Sequence, residues 1–376
     1  MTRIPLLFLG VAACLQPAAA AVRKTPIVSL YYYVASDPAA PDILKRNARR
    51  ISIIAPQTFS MDAEGFIMGE VPPEVKQVAR ENRVAIMPLV TNRRFDQPTM
   101  HAVLDDAKFQ DRAIRYLLYY AKRDGAVGFQ FDYENIHYTY RDKFTAFTVK
   151  AARAFHRRGL LLTLAVVGRS RAERDPEKPG GWDNWSGVYD YGKLGRVADF
   201  LSIMAYPEHS ASGRPGPVGS IPWMEQIVEY TLSQVPRAKI SWGIPVYHLH
   251  WWREAGQEKW RGRSHKFVDL GGWMGREGVR NEFDETLGSG RLEFTENEAS
   301  HVIWYEDARS LRAKLELIQR HRLPGFSAWR LGQEDPASWE LLGTEHPVRR
   351  FTPLGIVASR ATGGGRSPRQ TRPANP

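Results

Sequence analysis

The chain has 376 residues, 43% of them hydrophobic, and 52 basic against 41 acidic residues give a formal net charge of +11. It can bury a normal core, and its length suits one (β/α)₈ barrel with an insertion or two average domains. A single cysteine excludes an intrachain disulfide. The positive charge is scattered and no stretch resembles a nucleic-acid-binding module, so we expect no nucleic-acid partner. We also expect a monomer.

Residues 1–21 have the features of an export signal. Arg3 supplies a positive charge, and Ile4–Ala13 is apolar but too short to span a bilayer. Small residues follow, where ordinary cleavage is one interpretation. The segment Val11–Cys14 also resembles the lipobox of bacterial lipoproteins, so cleavage before Cys14 is the other. Both predict export to the periplasm or the cell exterior, the second with a lipid anchor. No later segment suits a transmembrane helix.

Apolar segments alternate with helix-like segments along the body of the chain. Eight such segments are predicted strands: Ile27–Tyr33, Arg50–Ala55, Val84–Val90, Val127–Tyr133, Leu160–Val167, Asp199–Tyr206, Lys239–Tyr247 and Gly325–Arg330. Several are almost continuously apolar, which is typical of parallel strands covered on both faces. Eight strands over this length favour a closed α/β barrel, a (β/α)₈ TIM barrel, over an open doubly wound sheet.

The connection between the seventh and eighth strands is long, about 75 residues. A plain crossover needs far fewer, so we expect a small α+β-type insertion at about 250–305, with short strands around Arg291–Phe294 and His301–Tyr305. The residues at 351–376 are rich in Gly, Arg, Pro, Ser and Thr. They predict a disordered basic tail.

The segment with the clearest chemistry is Gly128–Asn135, at the end of the fourth predicted strand. Strand side chains alternate between faces, so Gln130, Asp132 and Glu134 should point into the barrel. Two carboxyls this close resist joint ionisation, and one should hold a proton near neutral pH. A protonated glutamic acid is what a glycosidic oxygen needs to leave. A structural polar cluster or a salt bridge is the alternative interpretation.

These residues are similar to the motif Asp-x-x-Asp-x-Asp-x-Glu on the fourth barrel strand of glycoside hydrolase family 18, the chitinase-like family. The aligned positions are Val127, Gln130, Asp132 and Glu134, of which the last two match. The chain most resembles the branch that includes spore-cortex-lytic peptidoglycan N-acetylglucosaminidases. There an amide often replaces the middle aspartate and the motif continues as Glu-Asn-Ile, as in Glu134–Ile136 here.

Three later segments extend the resemblance from about Pro26 to Leu342, which predicts a catalytic barrel over 26–345. They resemble the sixth, seventh and eighth strands of that branch and are, in order, Met204–Ser210 with Pro215–Val218 and Pro222–Trp223, Trp242–Tyr247, and Gly325–Gly332 with Glu334–Asp335.

The resemblance implies retaining, substrate-assisted hydrolysis, in which the 2-acetamido oxygen of the substrate is the nucleophile. Glu134 would act as general acid and then base, and Asp132 would orient the acetamido group. Tyr206 would donate its hydroxyl to that group, and Trp329 would form the floor beneath the sugar. No cofactor is implied, and the histidines show no zinc-like spacing, so we expect no metal.

Pro207 departs from the family pattern, which usually has aspartate after this tyrosine. The neighbouring Glu208 matches the branch and is a candidate substitute. Gln130 and Tyr247 are further candidates for substrate binding, with structural roles as the alternative.

Two hypotheses follow. The first is an enzyme that hydrolyses β-1,4-linked N-acetylglucosamine polymers, peptidoglycan or chitin. The second is a non-catalytic lectin on the same barrel that binds such polymers. Pro207 favours the lectin, whereas retention of Glu134 favours the enzyme.

Overall fold

The structure is a computed structural model that describes residues 25–174 and 179–352. The predicted export signal at residues 1–21, with Cys14, lies outside the described residues. So does the predicted tail at 351–376, apart from its first two residues.

The elements of the described ranges alternate much as the sequence predicts. The strands are β1 (Val28–Tyr33), β2 (Ile53–Met61), β3 (Ile67–Gly69), β4 (Ala85–Ile86), β5 (Leu89–Asn92), β6 (Gly128–Asp132), β7 (Leu161–Val167), β8 (Leu201–Met204), β9 (Ile240–Pro245), β10 (His248–Arg253), β11 (Arg261–His265), β12 (Arg280–Asp284), β13 (Ser289–Glu296), β14 (Ala299–Tyr305) and β15 (Gly325–Trp329). The helices are α1 (Ala40–Asn47), α2 (Pro73–Asn82), α3 (Gln97–Asp105), α4 (Ala107–Asp124), α5 (Arg141–His156), α6 (Pro179–Gly181), α7 (Tyr191–Val197), α8 (Ile221–Gln234), α9 (Ala308–Arg320) and α10 (Ser338–Thr344).

Eight parallel strands close into a barrel within the described residues, which confirms the predicted TIM-barrel fold. Around the barrel they follow one another as β1, β2, β5, β6, β7, β8, β9 and β15, and β15 pairs again with β1. The core lies between this ring and the helices. On β6, the ring of Phe131 lies 5.6 Å from that of Phe147 on α5, and Phe129 lies 6.4 Å from Phe155. The alternate residues of β6 therefore face the barrel interior.

The second and third predicted strands depart most from their predicted bounds, and the other six differ by at most two residues at either end. The third predicted strand, Val84–Val90, is divided into β4 and β5 because Pro88 has no N–H to donate to the ladder. Its carbonyl still accepts a hydrogen bond from the backbone N–H of Gln130 at 2.9 Å. The second strand continues past Ala55 to Met61, where it forms an antiparallel pair with β3 that the sequence analysis did not predict.

The long connection between β9 and β15 carries a five-stranded antiparallel sheet, ordered β11-β10-β14-β13-β12. One face, with Leu249 and Trp251, packs on Val218 in the loop after β8. The other face, with Leu292 and Ile303, is covered by the 3-10 helix Phe267–Gly272. The helical part of this insertion is therefore short, and the first face of its sheet also packs against Tyr206 and Tyr247, which follow β8 and β9.

Candidate active site

A pocket of about 430 Å³ opens at the carboxyl ends of the barrel strands. Five of the sequence-predicted site residues line it together: Asp132, Glu134, Tyr206, Tyr247 and Trp329. They come from four different strand ends, which is where barrels of this type assemble their active sites.

The two carboxyls of the pocket form a coupled pair. Asp132 is buried, and Glu134 is only partly exposed. Burial raises the pKa of Asp132 to about 6, although hydrogen bonds from Gln57 and Glu134 act in the opposite direction. Burial, the charge of Asp132 and the hydrogen bond between the two carboxyls raise the pKa of Glu134 well above its ordinary value. The shared proton therefore resides on Glu134, which can act as an acid.

Two polar atoms in this pocket are buried without a partner among the described residues. They are Oδ1 of Asp132 and the hydroxyl of Tyr206. An ionised carboxylate oxygen is an acceptor and a phenol is a donor, so the pair matches the N–H and the carbonyl of an amide. Because leaving such buried groups unsatisfied costs about 1–3 kcal/mol each, they favour a ligand that satisfies both.

Aromatic rings line much of the pocket. The Trp329 ring lies 5.4 Å from the ring of Tyr32, and the Tyr206 ring meets that of Tyr247 edge-on at 6.3 Å. Rigid apolar surfaces of this kind are suited to stacking on a sugar face. Tyr247 lines the pocket, as expected of a substrate-binding residue, and its role there remains a prediction.

Comparison with known proteins identifies the family. The model of glycosyl hydrolases family 18 matches residues 56–334, more than half of the chain. The chain belongs to this family. It is therefore a glycoside hydrolase, and the resemblance stated from the sequence is confirmed.

This chain is similar to several bacterial proteins. It is 23% identical over 316 residues to an uncharacterized glycosylase, YvbX, of Bacillus subtilis, covering 82% of this chain and 89% of that protein. It is 26% identical over 301 residues to the cortical fragment-lytic enzyme of Bacillus subtilis, covering 78% of this chain and 68% of that enzyme.

Solved structures share the fold. The spore cortex-lytic enzyme SleL of Bacillus megaterium superposes with a TM-score of 0.78 and 23% identity, covering 88% of this chain and 76% of that one. A chitinase of Chromobacterium violaceum superposes with a TM-score of 0.75 and 26% identity, covering 84% of this chain and 98% of that one.

Gln130 of this glycosidase lies beneath the pocket rather than in its lining. Its amide is fully buried, accepting from the Tyr32 hydroxyl at 2.8 Å. It donates to Thr163 at 3.2 Å and to Ser202 at 3.0 Å. With these partners the amide supports the barrel interior, and Gln130 is not among the residues that line the pocket. The position alone could not show this, because inward-facing residues form several layers along a barrel axis.

Glu208 also lies outside this pocket and lines the neighbouring cleft. Its Oε2 accepts a hydrogen bond from the backbone N–H of Ser220 at 2.8 Å, just before α8 begins. Pro207 lines the pocket itself and Glu208 does not, and the role of Glu208 as a substitute for an aspartate at 207 stays a prediction.

Two residues near the acid were missed by the sequence analysis. Gln57 contacts Asp132 from β2, beyond the predicted end of that strand. Asn92 ends β5 and binds the backbone of Glu134. The available signal was a polar residue at the carboxyl end of each strand, which becomes specific only once the strand ends are known.

No group of His, Cys, Asp and Glu side chains in the described ranges is arranged to hold a metal ion. Histidines do cluster in the insertion, where ring nitrogens of His250 lie 3.3 Å from His265 and 2.9 Å from His301. Burial lowers the pKa of His250 to about 3, so the ring is neutral and serves in a hydrogen-bonded chain.

Among the described residues, no helix combines the length and hydrophobicity needed to span a membrane.

Proposed function

We propose that this glycosidase hydrolyses β-1,4-linked N-acetylglucosamine-containing polysaccharide by a retaining, substrate-assisted mechanism, with Glu134 as general acid and base. The observation that supports it most is the unpartnered pair formed by Asp132 Oδ1 and the Tyr206 hydroxyl. The pair offers an acceptor and a donor to one acetamido group, next to a carboxyl that holds a proton.

In the first step, the acetamido oxygen attacks the anomeric carbon while the bond to the leaving oxygen breaks. Glu134 gives its proton to that oxygen. The ionised Asp132 accepts the acetamido N–H and offsets the positive charge that develops on the ring formed, and Tyr206 donates to the acetamido oxygen. Trp329 supports the sugar face.

In the second step, Glu134, now ionised, takes a proton from water as that water attacks the anomeric carbon. The cyclic intermediate opens and the acetamido group is restored. Two successive inversions at one carbon retain the configuration, which is a recognised exception to the scheme with two enzyme carboxylates.

Among possible substrates, we propose peptidoglycan glycan strands ahead of chitin. The pocket continues past Pro207 into a cleft of about 720 Å³, whose lining includes Arg169 and Arg214. With Arg171, the arginines that the structure describes in this lining number three against two acidic residues, Glu173 and Glu208, and a net positive wall favours a polymer that carries carboxylates over a neutral one. Two similar Bacillus proteins are named as a cortical fragment-lytic enzyme and a spore cortex-lytic enzyme, which supports the same choice.

The test is product analysis by mass spectrometry after incubation with purified sacculi and with colloidal chitin. We expect N-acetylglucosamine reducing ends from sacculi and no product from either polymer with Glu134→Gln, whose fold is checked by circular dichroism. Cleavage of chitin alone would move the substrate assignment to chitin. Unchanged turnover by Glu134→Gln would refute the assignment of the acid.

A second candidate function is a lectin that binds aminosugar polymers without cleaving them. Pro207 favours it, because proline offers no side-chain hydrogen bond where the family usually has aspartate. Retention of both polymers on the protein without any release of reducing ends, by wild type and Glu134→Gln alike, would establish the lectin.

We further propose that the protein is exported and works as a monomer. The support for export is residues 1–21, which have the features of an export signal. Cell fractionation with and without Cys14→Ala tests both cleavage alternatives, since only a lipoprotein would leave the membrane fraction on this substitution. Light scattering of the purified protein tests the oligomeric state.

A further inference from the structure

The general acid lies beyond the end of its strand. The β5–β6 ladder pairs Leu89 with Gln130, Val90 with Phe131 and Thr91 with Asp132, and β6 ends at that last residue. Glu134 follows two positions later and is therefore outside the pairing of these two strands. A residue at a strand end would be free to move unless other groups bound its backbone.

The side chain of Asn92 binds that backbone in both directions. Its Oδ1 accepts a hydrogen bond from the N–H of Glu134 at 3.0 Å, and its Nδ2 donates to the carbonyl of Glu134 at 2.9 Å. The second proton of Nδ2 goes to the carbonyl of Asp96 at 3.1 Å. The side chain is fully buried, and its donors are both used.

The Asn92 side chain supplies to Glu134 the same hydrogen-bonding groups that a residue of a neighbouring strand would supply. A peptide group presents one N–H and one C=O to its neighbour, and the Asn92 carboxamide presents the same two groups in place of the next ladder position. The residues beside the acid are bound as well. The Tyr189 hydroxyl donates to the Tyr133 carbonyl at 2.8 Å, and Nδ2 of Asn135 donates to the Phe95 carbonyl at 3.0 Å.

We propose that Asn92 is a positioning residue for catalysis, which extends the β5–β6 ladder through its side chain and thereby fixes the acid carboxyl against Asp132. It does not line the pocket, so it acts through Glu134 and not on the sugar. The inference rests on the proposed role of Glu134. Displacing a catalytic group by about 1 Å can cost about 10²-fold in rate, which sets the size of the expected effect.

The first test is Asn92→Leu, which keeps the approximate volume and removes the three hydrogen bonds. We expect kcat on a short chito-oligosaccharide to fall about 10- to 10²-fold while KM changes less than about twofold. Asn82→Leu is the matched control, because the Asn82 amide also donates to a backbone carbonyl at 2.9 Å, that of Val78, on a helix away from the pocket. The control should keep the wild-type kcat.

The second test is Asn92→Asp, which separates positioning from folding. When protonated, an aspartic acid can accept from the Glu134 N–H and donate to the Glu134 carbonyl, as the amide does. When ionised, it can only accept. The ratio of variant to wild-type kcat should therefore rise as the pH falls. Asn92→Leu is the reference, because leucine does not titrate: any pH dependence of its ratio reports only the altered Asp132–Glu134 pair, and the rise for Asn92→Asp should exceed it. A flat ratio for Asn92→Asp, or wild-type kcat in Asn92→Leu, would overturn the proposal.

A readout that does not depend on activity keeps this inference separate from the proposed function. Carboxyl titration of the Asp132–Glu134 pair, followed by carbon NMR of labelled protein, should show altered coupling in Asn92→Leu and wild-type behaviour in Asn82→Leu. If wild type cleaves no glycan but the titration responds as expected, the proposed function fails and the positioning of Glu134 stands. If neither titration nor kcat responds, Asn92 has no positioning role.

Discussion

Nζ of Lys266 lies 2.7 Å from Oδ1 of Asp37. Asp37 follows β1, and Lys266 belongs to the insertion, so this ion pair joins the insertion to the barrel. The other oxygen of Asp37 lies 3.2 Å from the guanidinium of Arg330, the neighbour of Trp329. The carboxylate is fully buried, and both cations are partly covered. One buried charge thus ties the end of β15, which carries Trp329, to the insertion.

Removing that charge should destabilise the protein. Asp37→Ala leaves two partly exposed cations without their buried partner, and losing a hydrogen bond to a charged group typically costs about 1.5–3 kcal/mol in the free energy of unfolding. Denaturant unfolding measures it. Asp142→Ala is the control, since the largely exposed Asp142 pairs with Lys193 at 3.2 Å and should change stability by less than about 1 kcal/mol. Equal effects of the two substitutions would contradict this role of Asp37.

The hydroxyl of Tyr206 should matter to the rate more than to binding. Tyr206→Phe removes a donor aimed at developing charge, and losses of this kind lower kcat by about 10²-fold. Steady-state kinetics on chito-oligosaccharides provide the measurement. Tyr119→Phe removes a hydroxyl from an exposed ring and serves as the reference. If both variants turned over substrate like wild type, Tyr206 would not contact the reacting group.

The pH profile of the activity should be bell-shaped. Catalysis needs one proton on the carboxyl pair, carried by Glu134, with Asp132 ionised. Burial raises the pKa of Asp132 to about 6, so kcat/KM should fall below that pH as the pair takes up a second proton. It should fall again at alkaline pH as Glu134 loses its proton. Asp132→Asn should lose the acidic limb, and a wild-type profile with no change through this region would argue against the assignment.

The raised pKa values of Asp132 and Glu134 also predict how the stability of the protein varies with pH. Raised carboxyl pKa values mean that the folded state holds these protons more tightly than the unfolded chain. The resulting stabilisation is complete below about pH 4, near the unfolded pKa, and is lost as the pH rises through the folded values. Glu134→Gln should therefore be more stable than wild type at pH 8, on the order of 1–2 kcal/mol, and similar near pH 4.

Thermal unfolding at the two pH values measures this difference. Glu285→Gln is the reference, because the Glu285 side chain is 79% exposed and should shift stability little at either pH. A Glu134→Gln variant less stable than wild type at alkaline pH would contradict burial as the cause of the raised pKa.

Local patterns determined much of what could be predicted from this sequence. Apolar segments revealed the eight barrel strands, because parallel strands covered on both faces leave a nearly continuous hydrophobic signature. The two-residue period of a strand predicted that Asp132 and Glu134 face the barrel interior, although β6 ends at Asp132 and the backbone of Glu134 is bound by the side chain of Asn92. The four motifs, in their order along the chain, then indicated the family that the comparison confirmed.

Only the tertiary structure decided which polar residues serve the pocket and which serve the fold. The depth of Gln130 depends on how the closed barrel stacks its inward layers. The contact of Asn92 with Glu134 spans 42 positions, and that of Asp37 with Lys266 spans 229. A hydrogen bond or an ion pair depends on distance in space, and neither residue type nor periodicity carries that distance, so these roles appear only when the strands and the insertion are brought together.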